Sequence, residues 1–358
     1  MNKKREVKKN LLILLSTTIS MVFLPNSNTF SYWAGLISGS SITKNDNVNI
    51  GGWIREDATH IAGSAESFMD AIHDDTIPAA DKVIVLTNDI EVDFTESSTG
   101  EQNLGKFEGI FDGAGHTIVG TLDGSQASGL DNGKHGFGLF SDLAITGTIQ
   151  NLNLEICLYF TENSGNATDN YYFGGMAAFN SGIIDNVHIT AQPSCPCGGM
   201  TIDFTNKSNG ALVHIGGLVG ENKGTITNSS SSIDMTVNYH NRGSVLVGQK
   251  QNLFVGGFVG KNVNKNNSHI PVGYRARVEN STVSGKVNIF VDGRKVALEK
   301  TTTDVDLGGI IGFNDLGTQS GNSYTGSFPA HLTVTKDTDT ERAGTIRIRR
   351  YVGNENDS

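Results

Sequence analysis

Four stretches decide the fold: FGGMAAFNSGIIDN (173–186), IGGLVGENKGTITN (215–228), VGGFVGKN (255–262) and LGGIIGFN (307–314). Each carries a glycine pair, namely Gly174 and Gly175, Gly216 and Gly217, Gly256 and Gly257, and Gly308 and Gly309. An apolar residue precedes every pair (Phe173, Ile215, Val255, Leu307), and an asparagine stands six residues after its first glycine: Asn180, Asn222, Asn262 and Asn314. The residue four after the first glycine is always small (Ala178, Gly220, Gly260, Gly312). The pairs are spaced by 42, 40 and 52 residues, so the chain is built from repeats of about 40 residues.

A second asparagine follows at 186, 228, 280 and 322, and the long gap before Asn280 reads as a surface insertion. Beyond it the apolar residues alternate, as in Ile233, Met235, Val237 and Tyr239, or Val283, Val287, Ile289 and Val291. Period two is the mark of a strand. Short apolar runs also precede the glycine pairs (211–215, 252–255, 304–307), so each repeat offers about three short strands between glycine or asparagine turns.

Three short strands cannot bury their own apolar face, but repeats stacked ~4.8 Å apart pair every strand with its neighbours and build a continuous core. A parallel β-solenoid meets these counts. The glycine pair then sits at a bend where a side chain would clash, and the asparagines stack as a ladder of side-chain amides. A β-sandwich of the same strands is the alternative fold, and it leaves the 40-residue register unexplained.

Composition points the same way. Of 358 residues, 44 are Gly and 34 are Asn, against only 6 Pro. Glycine costs about 1 kcal/mol per helical position relative to Ala, so a helical protein is excluded. Upstream of the repeats, Ser64 is placed to cap a helix with Ala65, Phe68, Met69 and Ile72 on one face, covering the open end of the stack. A strand over KVIVLTNDI (82–90), then FEGIFDGAGHTIVGTL (107–122), lead to GKHGFGLF (133–140) and GTIQNLNLEICLYF (147–160), a first, atypical repeat. That repeat lacks the glycine pair, although GTIQN (147–151) resembles GTITN (224–228). At the far end TIRIRRYV (345–352) reads as an edge strand guarded by arginines, followed by a polar tail.

The N-terminus reads as a secretory signal over 1–31. Lys3, Lys4, Arg5, Lys8 and Lys9 precede an apolar run from Leu11 to Leu24, too short for the ~20 residues of a membrane span, and cleavage is placed after Ser31, with an uncleaved N-terminal anchor as the alternative. Residues 1–31 hold those five positive charges and Glu6, so their removal takes the net charge from -10 to -14. An acidic, exported chain with no span in its mature part argues against nucleic acid or anionic lipid as the main partner. Residues 32–53 read as a linker, 54–135 as the N-terminal cap and first strands, 136–335 as the repeats and 336–358 as a capping strand and tail.

The glycine repeats, with the upstream LTNDI and F-x-G-x-FDG-x-GHTI stretches, resemble the GLUG-motif repeat proteins of bacterial surfaces. That resemblance implies an all-β, right-handed parallel β-helix with an N-terminal capping helix and strands, in secreted or surface-exposed, often adhesin-like proteins. It is also similar to a region upstream of the catalytic domain in some immunoglobulin-A-cleaving metallopeptidases. No H-E-x-x-H is present, so that activity does not carry over, and no C-terminal Leu-Pro-x-Thr-Gly sorting signal is seen.

Other chemical candidates are weak. GAGHTIVG (113–120) fails the spacing of a nucleotide loop, and His116 within it reads as a hydrogen-bonded turn residue. The histidines show no metal-ligand spacing, and Asp337, Asp339 and Glu341 lack the glycine of a calcium loop. No catalytic, cofactor or metal residue is assigned. Cys157 lies six residues after Asn151, and its counterpart in the next repeat, Gln192, is three before Cys195. A bond from Cys157 to Cys195 or Cys197 is expected, leaving one thiol free.

The expected function is therefore non-catalytic: presentation of loops 161–170, 191–210 and 263–277 to a host or cell-surface protein or glycan. A polysaccharide lyase or hydrolase on the same scaffold is the alternative, with Tyr171, Tyr172, Tyr239 and Tyr274 as sugar-stacking candidates.

Overall fold

The computed structural model describes residues 55–94, 103–124, 128–130, 134–165, 170–206, 212–241, 251–264, 276–293, 303–326, 330–331, 346–349 and 352–355. The signal over 1–31, the linker over 32–53, Tyr274 and the acidic run around Asp337 lie outside them. The strands form three parallel sheets, and the register of two of them reproduces the sequence intervals.

In the second sheet the strands Asn170–Gly174, Leu212–Gly216, Gln251–Gly256 and Thr303–Gly308 pair in that order, with Gly174 opposite Gly216, Gly216 opposite Gly256 and Gly256 opposite Gly308. In the third, Ala177–Asn180, Val219–Asn222, Val259–Val263 and Ile311–Asp315 pair likewise, setting Asn180 opposite Asn222, Asn222 opposite Asn262 and Asn262 opposite Asn314. The first sheet takes the rest of each repeat between 148 and 331, so these repeats pair with one another on all three sheets. Where three strands per repeat were expected, five are present over 212–241, because the first-sheet segment breaks into Thr225–Thr227, Ser230–Ser231 and Asp234–Asn241. One break falls at Asn228, whose φ of 51° turns the chain.

Alternation along these strands fills one core. Ile233, Met235, Val237 and Tyr239 are all buried, as are Val283, Val287 and Ile289. Aromatic rings continue from repeat to repeat: Phe137 lies 4.9 Å from Phe160, which lies 4.6 Å from Phe173, and Phe204 stacks at 5.8 Å on Tyr239, its register partner. Burying a large aromatic side chain contributes roughly 1.5–3 kcal/mol, so this column is a principal source of cohesion between repeats.

The helix spans Ala65–His73 behind a capping box in which the Ser67 amide donates to Ser64 Oγ at 3.2 Å and Ser64 N donates to Ser67 Oγ at 3.0 Å. Phe68 and Ala71 are buried, Phe68 lies 5.3 Å from Phe111, and Ala65, Met69 and Ile72 pack at the core's margin. The stretch 82–90 holds two strands rather than one, Val83–Leu86 and Ile90–Asp93, separated by a polar turn.

Both ends of the repeat array depart from the consensus for visible reasons. At the start, Phe137 pairs with Phe173 but Phe140 pairs with Ala177, so the first bend is one residue shorter and has room for a single glycine. At the end, the segment expected to be one edge strand forms two, Ile346–Arg349 and Val352–Glu355. They pair with Thr303–Gly308 and Ile311–Asp315, setting Arg349 opposite Gly308 and Glu355 opposite Asn314. This is a fifth repeat in which arginine stands at the first-glycine position and glutamate replaces the asparagine.

Candidate functional site

The glycine pairs earn their place through space rather than backbone twist. None of Gly174, Gly175, Gly216, Gly217, Gly256 or Gly257 has a positive φ. A Cβ on Gly217 would lie 2.2 Å from the carbonyl oxygen of Gly257, and one on Gly257 would lie 2.3 Å from that of Gly309. The first glycine of each pair meets its own bend instead: a Cβ on Gly216 would be 2.0 Å from the Val219 carbonyl oxygen. The small residue three positions beyond the pair serves another approach, since a Cβ on Gly220 would sit 2.7 Å from Phe173 N in the preceding repeat.

The asparagines form a continuous buried chain of amides. Asn180 Nδ2 donates to Asn222 Oδ1 at 2.7 Å, Asn222 Nδ2 to Asn262 Oδ1 at 2.8 Å, and Asn262 Nδ2 to Asn314 Oδ1 at 2.9 Å. Each Oδ1 of the first two also accepts a turn amide, from Gly182 and Gly224. Buried amides need such partners, and identical side chains one repeat apart supply them.

The second asparagines do a different job. Asn151, Asn186, Asn228 and Asn280 have φ between 51° and 54°, a conformation asparagine tolerates better than other residues with a Cβ. The fourth position was expected at Asn322. The pairing of Glu279 with Ser320 and of Thr282 with Ser323 places Gly321 there instead, with φ 66°. Asn322 continues a different ladder: the Ser229 amide donates to Ser281 Oγ and the Ser281 amide to Asn322 Oδ1.

Cys157 and Cys195 are bonded, with Cα atoms 5.3 Å apart, and Cys197 is a free, half-buried thiol. The reason lies in the neighbouring strand. Ile183–Ala191 pairs with Thr148–Gly165 as far as Ile156, and Gly199–Asn206 resumes the pairing at Leu158. Residues 192–198 therefore leave the sheet opposite Cys157 and fold back over it as a turn, in which Cys195 N donates to the Gln192 carbonyl. The following repeat covers the same ground in seven fewer residues.

One constellation had no periodic signal in the sequence. On the side of the second sheet away from the core, register sets Tyr172, His214, Phe254 and Asp306 in a row, and the third sheet sets Asp142, Phe179, Glu221, Lys261 and Phe313 beside it. His214 Nδ1 lies 2.9 Å from Glu221 Oε2, and Lys223 Nζ lies 2.6 Å from Glu221 Oε1 and 4.1 Å from the Phe179 ring centroid. Burial opposes charge on Glu221, but contact with His214 and Lys223 outweighs it and holds the carboxyl well below the usual range. Burial lowers His214 in spite of Glu221, so the imidazole is neutral and Lys223 carries the balancing charge. Burial, with smaller help from Glu221, pushes the Tyr172 hydroxyl up, and burial likewise raises Asp142. His214 is 1% exposed and Glu221 4%, so the cluster is a second, polar core rather than a substrate cleft.

The remaining candidates resolve as packing. Tyr171, Tyr172 and Tyr239 are 3%, 3% and 0% exposed, which leaves no ring face for a sugar. Asp185 accepts from Thr227 Oγ1 at 2.6 Å and Asn228 Nδ2 at 2.8 Å in another inter-repeat bond. His116 lies in the turn, with its amide on the Gly113 carbonyl and Nδ1 3.4 Å from Asp89. An open cleft of about 480 Å³ beside the helix is lined by His60, Ser67, Asp70, His73 and Asp74. There His60 Nε2 lies 2.9 Å from Asp74, whose carboxyl is lowered to about 2 chiefly by hydrogen bonds from Thr76.

Residues 254–288, which hold the third glycine pair, its asparagine and the following insertion, match the family described as the GLUG motif. The chain carries a GLUG motif. Within it, Gly256, Gly257 and Asn262 are the bend and the ladder member described above, so the GLUG signature here records inter-repeat contacts. No curated protein and no solved structure matches the chain. Among the described residues no helix is long and apolar enough to cross a membrane.

Proposed function

We propose that this chain is a secreted or surface-exposed, non-catalytic protein whose GLUG repeats wind as a right-handed parallel β-helix, adhesin-like, presenting loops to a host or cell-surface protein or glycan. The observation that supports this reading is the repeat-by-repeat parallel register of the sheets, joined from repeat to repeat by the asparagine ladder. Between first-sheet and second-sheet strands of successive repeats the sequence holds stretches of different length, 166–169, 207–211, 242–250 and 294–302, which lie outside the described residues. Insertions confined to one side of a repeat array are the usual means by which such arrays bind.

The loops nominated from the sequence shift accordingly. Residues 161–165 and 199–206 belong to strands, which leaves 192–198 as the described connection, while 166–169 and 207–211 lie outside the described residues. Residues 265–275, within the insertion of the GLUG repeat, lie outside the described residues and stay part of the proposal through their place in the sequence. The test is an array of glycans and host surface proteins probed with the chain lacking 1–31, beside variants in which 242–250 or 265–275 is replaced by a short glycine linker. Binding lost in either variant while the melting curve is unchanged supports presentation by that loop. Equal binding in both variants removes these loops from the account.

A further inference from the structure

The disulfide does not stand alone. Cys197 Sγ lies 3.0 Å from Cys195 Sγ, and the three sulfurs of Cys157, Cys195 and Cys197 all lie within 4.8 Å of one another. Cys157 is 3% exposed and fixed in the strand, whereas Cys195 and Cys197 ride on the turn 192–198, whose return passes through Gly198 and Gly199 at φ 77° and 137°. The Tyr159 hydroxyl meets the Cys197 side chain, and burial followed by that contact keeps it protonated, so it is a donor available to a thiolate beside it. A thiol held against one sulfur of a disulfide is the reactant geometry of thiol–disulfide exchange.

We propose that Cys157, Cys195 and Cys197 form an intramolecular thiol–disulfide exchange site in which Cys197 is the attacking thiol and Cys195 carries the sulfur attacked. The Cys197 thiolate forms a bond to Cys195 Sγ as the Cys157–Cys195 bond breaks. The electron pair leaves on Cys157 Sγ, which takes up the proton given up when Cys197 ionised. One disulfide and one thiol stand on each side of the step, so no outside oxidant or reductant takes part. The consequence is local: the bond that ties the turn to the neighbouring strand opens, and the half-buried thiol of Cys197 is exchanged for the buried thiol of Cys157.

The inference is independent of the proposed surface role and is tested by mapping the disulfide in the oxidised chain. Protein held at pH 6.0 or pH 8.5 is quenched in acid, its free thiols are alkylated with N-ethylmaleimide under denaturing, mildly acidic conditions, and peptides are identified by mass spectrometry. The thiolate is the attacking species, and an ordinary cysteine ionises near pH 8.5, so exchange is faster at the higher pH. Label on Cys157 at pH 8.5, with a matching Cys195–Cys197 peptide, is the expected result. It disappears in Cys197→Ser, which retains the Cys157–Cys195 bond and therefore the fold. Label confined to Cys197 at both pH values overturns the proposal. Label on Cys195 also overturns the stated step, because Cys157 would then be the sulfur attacked.

Discussion

Removing the amide of Asn222 interrupts the ladder at an interior position. Its Oδ1 accepts from Asn180 Nδ2 at 2.7 Å and from Gly224 N at 3.2 Å, and its Nδ2 donates to Asn262 Oδ1 at 2.8 Å. At a net value of about 1 kcal/mol per hydrogen bond, Asn222→Ala costs about 3 kcal/mol. The donor of Asn180 and the acceptor of Asn262 are left in a fully buried site, which raises the loss toward ~5 kcal/mol. Asn314→Ala supplies the comparison. It accepts from Asn262 and donates to the Gly317 carbonyl, two bonds at a less buried position, so the loss is about 2 kcal/mol. Guanidinium unfolding followed by far-UV circular dichroism reads both, with a slope of roughly 4 kcal/mol per molar placing the Asn222→Ala midpoint ~0.8–1.2 M below the parent. A midpoint within ~0.1 M of the parent, or a larger loss for Asn314→Ala than for Asn222→Ala, would refute the reasoning.

Three further perturbations separate the other contributions. Gly217→Ala sets a Cβ 2.2 Å from a backbone oxygen of the next repeat and should cost more than ~3 kcal/mol or abolish soluble expression, whereas Gly115→Ala, with φ 84° and open space, should cost only ~1–2 kcal/mol; similar thermal shifts for the two would contradict the spatial role of the pair. Glu221→Gln should cost about 3 kcal/mol at pH 7 because it breaks a buried charge network. The Glu221 carboxyl is depressed in the folded chain, so its contribution is complete above the ordinary value of 4.5 and is lost as pH falls toward the lower folded value. The gap between parent and variant should therefore narrow from pH 5 to pH 2 in denaturant titrations, and a constant gap argues against an ionised Glu221. Ser64→Ala removes the helix cap and should lower stability by ~1 kcal/mol in the same titrations; no change would show that the capping box is idle.

Much of this architecture is legible in the sequence because inter-repeat contacts constrain identity as well as polarity. Gly217 has no room for a Cβ, and Asn222 must offer both a donor and an acceptor along the stack, so glycine and asparagine recur at fixed spacing. The spacing placed Cys157 near Cys195 and Cys197 and left the choice between them open, because Cys195 sits in a turn that leaves the register three residues after the counterpart Gln192. What escaped notice lies where register and spacing part. Counting to Asn322 missed Gly321 by one residue, since a serine–asparagine ladder runs beside the left-handed turn. The fifth repeat was hidden because Arg349 and Glu355 replace the recurring glycine and asparagine. The His214 and Glu221 cluster gave no periodic signal because side chains on the outer face need only complement one another. Tyrosine, histidine, phenylalanine and aspartate therefore occupy equivalent positions there.

The most direct test of the proposed β-helix is a crystal structure resolving the side chains of Asn180, Asn222, Asn262 and Asn314. The account predicts one unbroken column in which each amide nitrogen lies within ~3 Å of the next amide oxygen and successive strands run parallel ~4.8 Å apart. Antiparallel pairing of these strands, or four asparagines placed apart from one another, would contradict it.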